Sequence, residues 1–235
     1  MSESENNTFA LILAAAGKST RFSRGGDPTV KKTFAHLDGK PIWLRSVEKF
    51  ISREDVTQVI IVVSPEDIDW FRKYYLSEIN RHYFLVVAGG ENRVDSIRSG
   101  LLAVNSRVGY VAVHDAARPC VTKQEIDDVF TAAKKHGAAL LAAPVVSTLK
   151  KVVDGKIEET VPREHFWEAQ TPQVFRRELI LEAYQQRISG VPTDDAQLVE
   201  WLDKPVYIVP SDSGNIKITT HSDLILAKYL VEGGR

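Results

Sequence analysis

The 235-residue chain has one cysteine, Cys120, and one methionine. A single thiol cannot form an intramolecular disulfide or build a structural zinc site, so the cysteine content favours a reducing, cytoplasmic compartment. No apolar run approaches the roughly 18 residues of a membrane span. Residues 1–8 are polar and acidic, which is not typical of a secretory signal. These absences argue against a disulfide scaffold and against a membrane protein.

The chain also lacks an excess of either charge, with 30 Lys and Arg against 31 Asp and Glu, and a formal net charge of -1. That balance gives no overall attraction for nucleic acid or for an anionic membrane surface. An anionic ligand must therefore be bound by a local cluster of cations. Hydrophobic residues at 43% and charged residues at 26% are ordinary globular values, which excludes disorder, collagen and coiled coil.

Apolar segments of strand length alternate with amphipathic segments of helix length. This alternation predicts an α/β fold with parallel strands joined by crossover helices. The expected strands are Phe9 to Ala15, Gln58 to Val63, Tyr83 to Val87, Tyr110 to His114, Ala138 to Ala143 and Val206 to Val209. The expected helices include Pro41 to Phe50, Asn92 to Asn105 and Lys123 to His136. The length permits one large domain, and we expect residues 1–235 to form a single one.

Residues 147–162 interrupt this alternation. Two short stretches of β-forming residues flank Asp154-Gly155, and that dipeptide predicts the turn of a β-hairpin. The hairpin is too short to be a domain, so we expect an arm that reaches over another surface, such as a second subunit. The alternative is a hairpin that folds back on its own sheet and covers its edge.

Three segments that follow expected strands have compositions suited to ligand binding, and the carboxyl ends of parallel strands are where open α/β sheets bind ligands. Residues 13–22, LAAAGKSTRF, place small residues and cations after the first strand, although a lone glycine matches neither a P-loop nor a GxGxxG motif. Residues 89–96, GGENRVDS, let backbone approach a ligand closely. Residues 114–119, HDAARP, place a carboxylate and a guanidinium at the strongest middle strand. Tight packing, a helix cap and an Asp–Arg turn pair are the respective structural alternatives.

Taken in order, these motifs resemble the cytidylyltransferases that act on 2-C-methyl-D-erythritol 4-phosphate in the non-mevalonate isoprenoid pathway. The resemblance covers roughly residues 9–230, and TPQ at 171–173 and NIKIT at 215–219 add to it. It implies a Rossmann-like nucleotide-diphospho-sugar transferase fold, with a mostly parallel sheet flanked by helices. It also implies a β-arm at about 147–162 that joins two subunits into a homodimer. The implied reaction uses CTP and Mg²⁺ or another divalent cation, and forms 4-diphosphocytidyl-2-C-methyl-D-erythritol and pyrophosphate.

The resemblance also implies residue roles. Contacts to CTP are implied for Ala14, Ala15, Ala16, Gly17, Gly90, Glu91 and Ser96. Catalytic roles are implied for Arg21, Lys32, Lys217 and Arg163. Contacts to the polyol phosphate are implied for Asp115, Arg118, Thr148, Arg163, Thr171 and Lys217. Asp115 is the named candidate for a protein contact to the metal, and a substrate hydroxyl is its alternative partner.

The sequence departs from the family pattern at three places. The loop between Arg21 and Lys32 is longer than usual, so Lys32 is chosen over Lys31 because Thr33-Phe34 follows it. Glu91 stands where the family often has aspartate. After Pro144, residues 145–148 read VVST in place of the usual Arg-Asp-Thr pattern, which weakens the assignment of arm residues to substrate binding.

No Ser-His or Cys-His pair is evident, and the implied chemistry does not need one. A phosphate monoester has its second pKa near about 6, so the attacking oxygen is already ionised at pH 7. Cations and a divalent metal are needed instead to stabilise the added charge. A D-ribitol 5-phosphate cytidylyltransferase, a sugar-1-phosphate nucleotidyltransferase that uses another nucleotide, and a noncatalytic nucleotide-binding module remain as alternatives. A nucleic-acid-binding protein is the weakest one.

Overall fold

The computed structural model describes residues 7–17, 31–186 and 190–235. Its strands are β1 (Phe9–Ala14), β2 (His36–Leu37), β3 (Lys40–Pro41), β4 (Val56–Val63), β5 (Leu85–Ala88), β6 (Tyr110–Asp115), β7 (Ala138–Pro144), β8 (Leu149–Val153), β9 (Lys156–Val161), β10 (Trp167–Arg176) and β11 (Tyr207–Pro210). Its helices are α1 (Ile42–Ile51), α2 (Ile68–Tyr74), α3 (Leu76–His82), α4 (Arg93–Leu102), α5 (Lys123–His136), α6 (Arg177–Gln185), α7 (Asp195–Glu200) and α8 (His221–Glu232).

Seven strands form the main sheet in the order β11-β7-β10-β6-β1-β4-β5. The neighbouring pairs β6-β1, β1-β4, β4-β5 and β11-β7 are parallel, whereas β10 is antiparallel to both β6 and β7. The predicted mostly parallel α/β sheet is therefore confirmed. The parallel strands β1, β4 and β6 end at the same edge, so the loops that follow them lie close together.

Strand β10 was not predicted, because Pro172 and its polar neighbours read against a strand in the middle of a sheet. Proline lacks the N–H that a sheet ladder requires and is tolerated at irregularities. The register between β10 and β7 shifts between Ala169 and Gln173, and Pro172 lies within that interval. The irregular pairing with β7 at this point therefore accommodates the proline within β10.

The core lies on both faces of the sheet, because successive side chains of a strand point to opposite sides. Phe9, Leu11 and Leu13 of β1 pack with buried residues of α1 and α5 on one face. Ala10 and Ile12 pack with residues of α4, α6 and α7 on the other. Burial on both faces explains why β1 is continuously apolar, as parallel strands usually are.

The ends of the helices follow their local sequence. At the start of α5, the Thr122 hydroxyl accepts from the Glu125 N–H, and the Glu125 carboxylate accepts from the Thr122 N–H. The helix ends at Gly137, whose φ of +89° favours glycine. Helix α1 begins at Ile42, one residue after the predicted Pro41. Its proline precedes the first helical turn and does not occupy it.

Residues 149–161 form the expected hairpin, which we call the β-arm. Strands β8 and β9 make a two-stranded sheet separate from the main sheet, and Asp154 and Gly155 at the turn have φ values of +50° and +77°. Most of the side chains of the β-arm are exposed, including those of Val152 and Ile157. The β-arm thus extends away from the main sheet in a single chain.

Candidate active site

A cavity of about 950 Å³ opens at the carboxyl ends of the parallel strands. Its volume suits a small organic ligand such as a nucleotide. Its walls come from the segments after β1, β4, β5 and β6, from residues 32–33, and from Lys217. These are the strand ends at which the sequence predicts a site.

Many of the predicted site residues line this cavity. They are Ala14, Ala16, Gly17, Lys32, Gly90, Glu91, Ser96, Asp115 and Lys217. Ala15 is buried beneath the same loop, where its N–H donates to the carbonyl of Val62 at 2.8 Å. Arg21 lies outside the described residues. The structure thus places nine predicted residues, from Ala14 to Lys217, around one space, although they are distant in sequence. Arg118 and Thr171 do not line the cavity but lie beside Asp115.

The glycine turn before α4 has little room for side chains. A Cβ on Gly90 would clash with the Cβ of Asp95, and a Cβ on Gly89 would lie 2.7 Å from the Oγ of Ser96. The Gly90 N–H donates to the Ser96 hydroxyl at 3.1 Å, and that hydroxyl donates to the carbonyl of Asn92 at 2.8 Å. Glycine at both positions therefore lets the turn pack closely against α4, and Gly90 lines the cavity.

Asp115, the last residue of β6, is surrounded by cations. Its Oδ2 lies 2.6 Å from the Nζ of Lys217 and 3.9 Å from the Nε of Arg118. Burial alone would raise the pKa of Asp115, but the positive charges of Lys217, Arg93 and Arg118 hold it well below its usual range. The carboxylate is therefore charged and fixes the position of the Lys217 ammonium at the cavity.

Thr171 of β10 supports Asp115 from the neighbouring strand. Its hydroxyl accepts from the Asp115 N–H at 3.0 Å and lies 3.2 Å from the Nδ1 of His114. The other ring nitrogen of His114 lies 3.1 Å from the carbonyl of Arg118. Burial lowers the pKa of His114 to about 4, so the imidazole is neutral near pH 7. His114 is therefore a packed, hydrogen-bonded histidine and is not placed to act as a general base.

The segment that carries Lys217 is fastened to β10 through Asn215. The amide of Asn215 donates to the Oε1 of Gln170 at 2.9 Å and to the carbonyl of Thr171 at 3.0 Å. Arg118 donates to the carbonyl of Asn215 at 2.6 Å. The TPQ and NIKIT motifs therefore work together to hold Lys217 beside Asp115.

The two adjacent lysines, Lys31 and Lys32, have different surroundings. Lys32 lines the cavity. The Lys31 ammonium donates at 3.1 Å to both Ser64 and Glu66, and it forms an ion pair with Asp67. Burial lowers the pKa of Lys31, but these acidic partners outweigh it and raise the pKa. This arrangement supports Lys32 as the lysine that faces a ligand, as the sequence predicts.

Arg163 and Thr148 do not line the cavity of their own chain. Arg163 lies between the β-arm and β10, where its guanidinium donates to the carbonyl of Val146. Thr148 is exposed just before β8. Their predicted contacts with the polyol phosphate therefore need a surface other than this cavity alone, and they stay predictions.

Arg93 is a cavity residue to which the sequence analysis gave no role. It lines the cavity from the first turn of α4 and forms an ion pair of 2.6 Å with Asp195. A cation in the first turn of a helix opposes the helix dipole. That unfavourable position, directly after the Asn92 cap, was the available signal.

The carboxylates near the cavity bear on a possible cation site. Glu66, Glu91 and Asp115 line it, yet no cluster of three or more His, Cys, Asp or Glu suited to a metal occurs within the described ranges. One or two carboxylates suit a Mg²⁺ ion that keeps several waters and takes its remaining ligands from phosphates. The donor set at the cavity fits a cation brought with a nucleotide.

Comparisons with known proteins agree with this geometry. The family model for 2-C-methyl-D-erythritol 4-phosphate cytidylyltransferase matches residues 9–233. The chain is 40% identical over 227 residues to the protein of that name from Solibacter usitatus, with 93% of each chain covered. It is 39% identical over 235 residues to that from Rhodopirellula baltica, with 95% of each covered.

Solved structures give the same result. The crystal structure of 4-diphosphocytidyl-2C-methyl-D-erythritol synthase from Anaerococcus prevotii superposes with a TM-score of 0.80 at 25% identity, covering 97% of this chain and 99% of that chain. The 2-C-methyl-D-erythritol 4-phosphate cytidylyltransferase of Thermus thermophilus gives a TM-score of 0.76 at 30% identity, with coverages of 94% and 98%.

Proposed function

The chain belongs to the 2-C-methyl-D-erythritol 4-phosphate cytidylyltransferase family, and we propose that it binds CTP in the cavity at the carboxyl edge of its sheet. As a member of that family, it transfers CMP from CTP to 2-C-methyl-D-erythritol 4-phosphate. The products are 4-diphosphocytidyl-2-C-methyl-D-erythritol and pyrophosphate, in the non-mevalonate route to isoprenoid precursors. One observation carries the proposed binding site: a single cavity joins the glycine turn at Gly90 to the cations Lys32 and Lys217.

The nucleoside end of CTP is assigned to the glycine turn. Gly90, Glu91 and Ser96 would surround the cytosine, because all three line the cavity around the start of α4. The loop of Ala14, Ala15, Ala16 and Gly17 would lie along the nucleotide. Its small side chains leave backbone groups accessible to phosphate oxygens.

The transfer itself needs charge stabilisation more than proton transfer. An ionised oxygen of the polyol phosphate attacks the α-phosphorus and forms a new P–O bond. The bond from the α-phosphorus to the bridging oxygen breaks, and pyrophosphate leaves with that electron pair. Lys32 and Lys217, together with Arg21 from outside the described residues, would stabilise the charge that develops on the α-phosphate.

The polyol phosphate is assigned to the side of the cavity near β10. Asp115 would accept from a substrate hydroxyl or contact the metal, and Arg118 and Thr171 lie beside it. Arg163 and Thr148 would come from a second copy, since they flank the β-arm and are exposed outside the cavity of their own chain. This assignment requires a homodimer, with the exposed apolar residues of the β-arm against the partner.

A divalent cation, Mg²⁺ by preference, would neutralise triphosphate charge when bound. Asp115 is the residue assigned to contact it. Lys217 already pairs with that carboxylate at 2.6 Å, so the protein's share in holding the ion is small.

Among the described residues, no helix has the length and apolarity to cross a lipid bilayer. We assign the enzyme to the cytoplasm on its cysteine content.

The deciding assay measures pyrophosphate release from CTP with Mg²⁺ present. It offers 2-C-methyl-D-erythritol 4-phosphate and D-ribitol 5-phosphate in parallel. We expect rapid release with the former alone. Release with ribitol phosphate alone would keep the cavity and the mechanism but contradict the substrate, and tight CTP binding without release would contradict catalysis.

The divalent cation is tested in the same assay. Chelation with EDTA is expected to abolish release, and added Mg²⁺ to restore it. Full activity in EDTA would contradict the assigned cation.

A further inference from the structure

Asp195 is a fully buried carboxylate held by two strong donors. Its side chain is 0% exposed. Its Oδ2 accepts from the Nη2 of Arg93 at 2.6 Å, and its Oδ1 accepts from the hydroxyl of Tyr184 at 2.5 Å. A buried carboxylate is tolerated only when it is paired in this way, so the three groups form one unit.

The carboxylate of Asp195 is also fixed through its own backbone. The Asp195 N–H donates to the Oε1 of Gln173 at 3.1 Å, and the Nε2 of Gln173 donates to Asp194 at 2.8 Å. Asp194 in turn caps α7 by accepting from the Gln197 N–H at 3.0 Å. Strand β10 and helix α7 therefore fix the position of the acid with which Arg93 pairs.

Arg93 connects the buried Asp195 carboxylate to the cavity. It lies in the first turn of α4, between Gly90 and Ser96, and it lines the cavity with them. About 31% of its side chain is exposed, so one side of it faces Asp195 and another faces the cavity. Its charge also acts on Asp115, another residue that lines the cavity, and helps to lower the pKa of that carboxyl. A planar guanidinium held on one side can offer its remaining N–H groups to a ligand.

We propose that Arg93 is a further CTP-binding residue and that Asp195 is a positioning residue that holds the Arg93 guanidinium at the cavity wall. This inference rests on the proposed binding of CTP in this cavity. Tyr184 completes the unit, because its hydroxyl donates to the second oxygen of the Asp195 carboxylate. The nucleotide contacts Arg93, and Asp195 acts only through it.

The test measures CTP affinity by calorimetry together with steady-state kinetics. For Arg93→Met we expect CTP binding weaker by about tenfold, which is about 1.4 kcal/mol, with kcat within about threefold of wild type. For Asp195→Asn we expect the same direction at about fivefold. The double variant should bind no more weakly than Arg93→Met, because Asp195 acts through Arg93. Independent, additive losses would overturn the positioning role.

Folding is controlled separately, because Arg93→Met leaves the Asp195 carboxylate without its cation. Arg93→Lys keeps a positive charge for Asp195 but lacks the planar fork, and we expect CTP affinity to fall about fivefold in a folded protein. Arg98→Met on the same helix and Glu200→Gln on α7 are matched controls at exposed positions and should bind CTP as wild type does. Wild-type affinity in Arg93→Lys and Arg93→Met would overturn the inference.

One further variant distinguishes the role of Arg93 from the proposed binding of CTP in the cavity. Lys32→Met removes a cation that lines the cavity outside α4, so it probes CTP binding there without changing Arg93. If Lys32→Met weakens CTP binding and the Arg93 variants do not, the cavity stands and the role of Arg93 is wrong. If neither change affects CTP binding, CTP does not bind in this cavity.

Discussion

The cavity and the β-arm differ in how far contacts within one chain pair or cover their side chains. At the cavity, Asp115 is buried against Lys217 at 2.6 Å, and hydrogen bonds from the Asp115 N–H and the Asn215 amide to Thr171 hold the surrounding segments. On the β-arm, Val152 and Ile157 are 53% and 64% exposed. The polar groups at the cavity thus find partners within their own chain, whereas the apolar side chains of the β-arm face solvent.

This difference agrees with the two substrates of the reaction. The cavity proposed for the nucleotide is assembled from residues of one chain, whereas Arg163 and Thr148, predicted for the polyol phosphate, flank the β-arm outside that cavity. In the proposed homodimer the catalytic site would be divided between two subunits, and turnover would depend on their association. Changes in the cavity should lower the rate of the chemical step in each subunit. Changes in the β-arm should weaken subunit association, so that turnover falls at low protein concentration.

The largest effect is expected in the cavity, from Lys217→Met. Loss of one cation that stabilises the transition state should lower kcat by about 10² to 10³. Arg118 and Arg93 remain near Asp115, so the protein should still fold. Lys228→Met, at an exposed site on α8, should leave kcat unchanged. A fall of less than about threefold in Lys217→Met would contradict its assigned role.

Sequence reasoning found the parts of this cavity that follow apolar strands. The continuous runs in β1, β4 and β6 predicted both the sheet and the edge at which ligands bind, and the resemblance then assigned Lys217 and Asp115. It missed β10, because Pro172 and polar neighbours hide a strand. It also missed the Arg93–Asp195 pair, since a contact between residues 102 apart leaves no local pattern.

The pH dependence of the free energy of unfolding tests the burial of His114, which lies beside Asp115 of the cavity. Burial lowers the pKa of His114 to about 4, and the unfolded value is about 6.5. Below pH 6.5 the unfolded chain takes up a proton that the folded chain does not. The free energy of unfolding should therefore fall by about 3 kcal/mol as the pH drops from 6.5 to 4, and it should be highest above 6.5.

Denaturant titrations of the wild type and of His114→Gln test this expectation. The glutamine variant should lose that part of the pH dependence, whereas His82→Gln at an exposed site should retain it. Equal pH slopes for the wild type and His114→Gln would show that His114 is not buried neutral.

A smaller effect is expected on the β-arm, from Ile157→Asp. A charge at the centre of an apolar contact should weaken subunit association by about tenfold or more. Light scattering over a dilution series would measure the mass, and turnover should fall at concentrations where the variant is monomeric. Lys156→Gln, on the same strand, is the control. A wild-type protein of monomer mass would contradict the homodimer.

The smallest effect compares one substitution in the core fold that supports the cavity and in the β-arm. Gly137 ends α5 at φ +89°, and Gly155 lies in the turn of the β-arm at φ +77°. Alanine at either site should cost about 1 kcal/mol locally, because L side chains disfavour positive φ. Helix α5 packs into the core, so Gly137→Ala should lower Tm by roughly 2–4 °C. Gly155→Ala should leave Tm within about 1 °C in a protein diluted to monomer, since the β-arm unfolds without exposing the core. Equal shifts in Tm would show that the β-arm belongs to the same cooperative unit as the core.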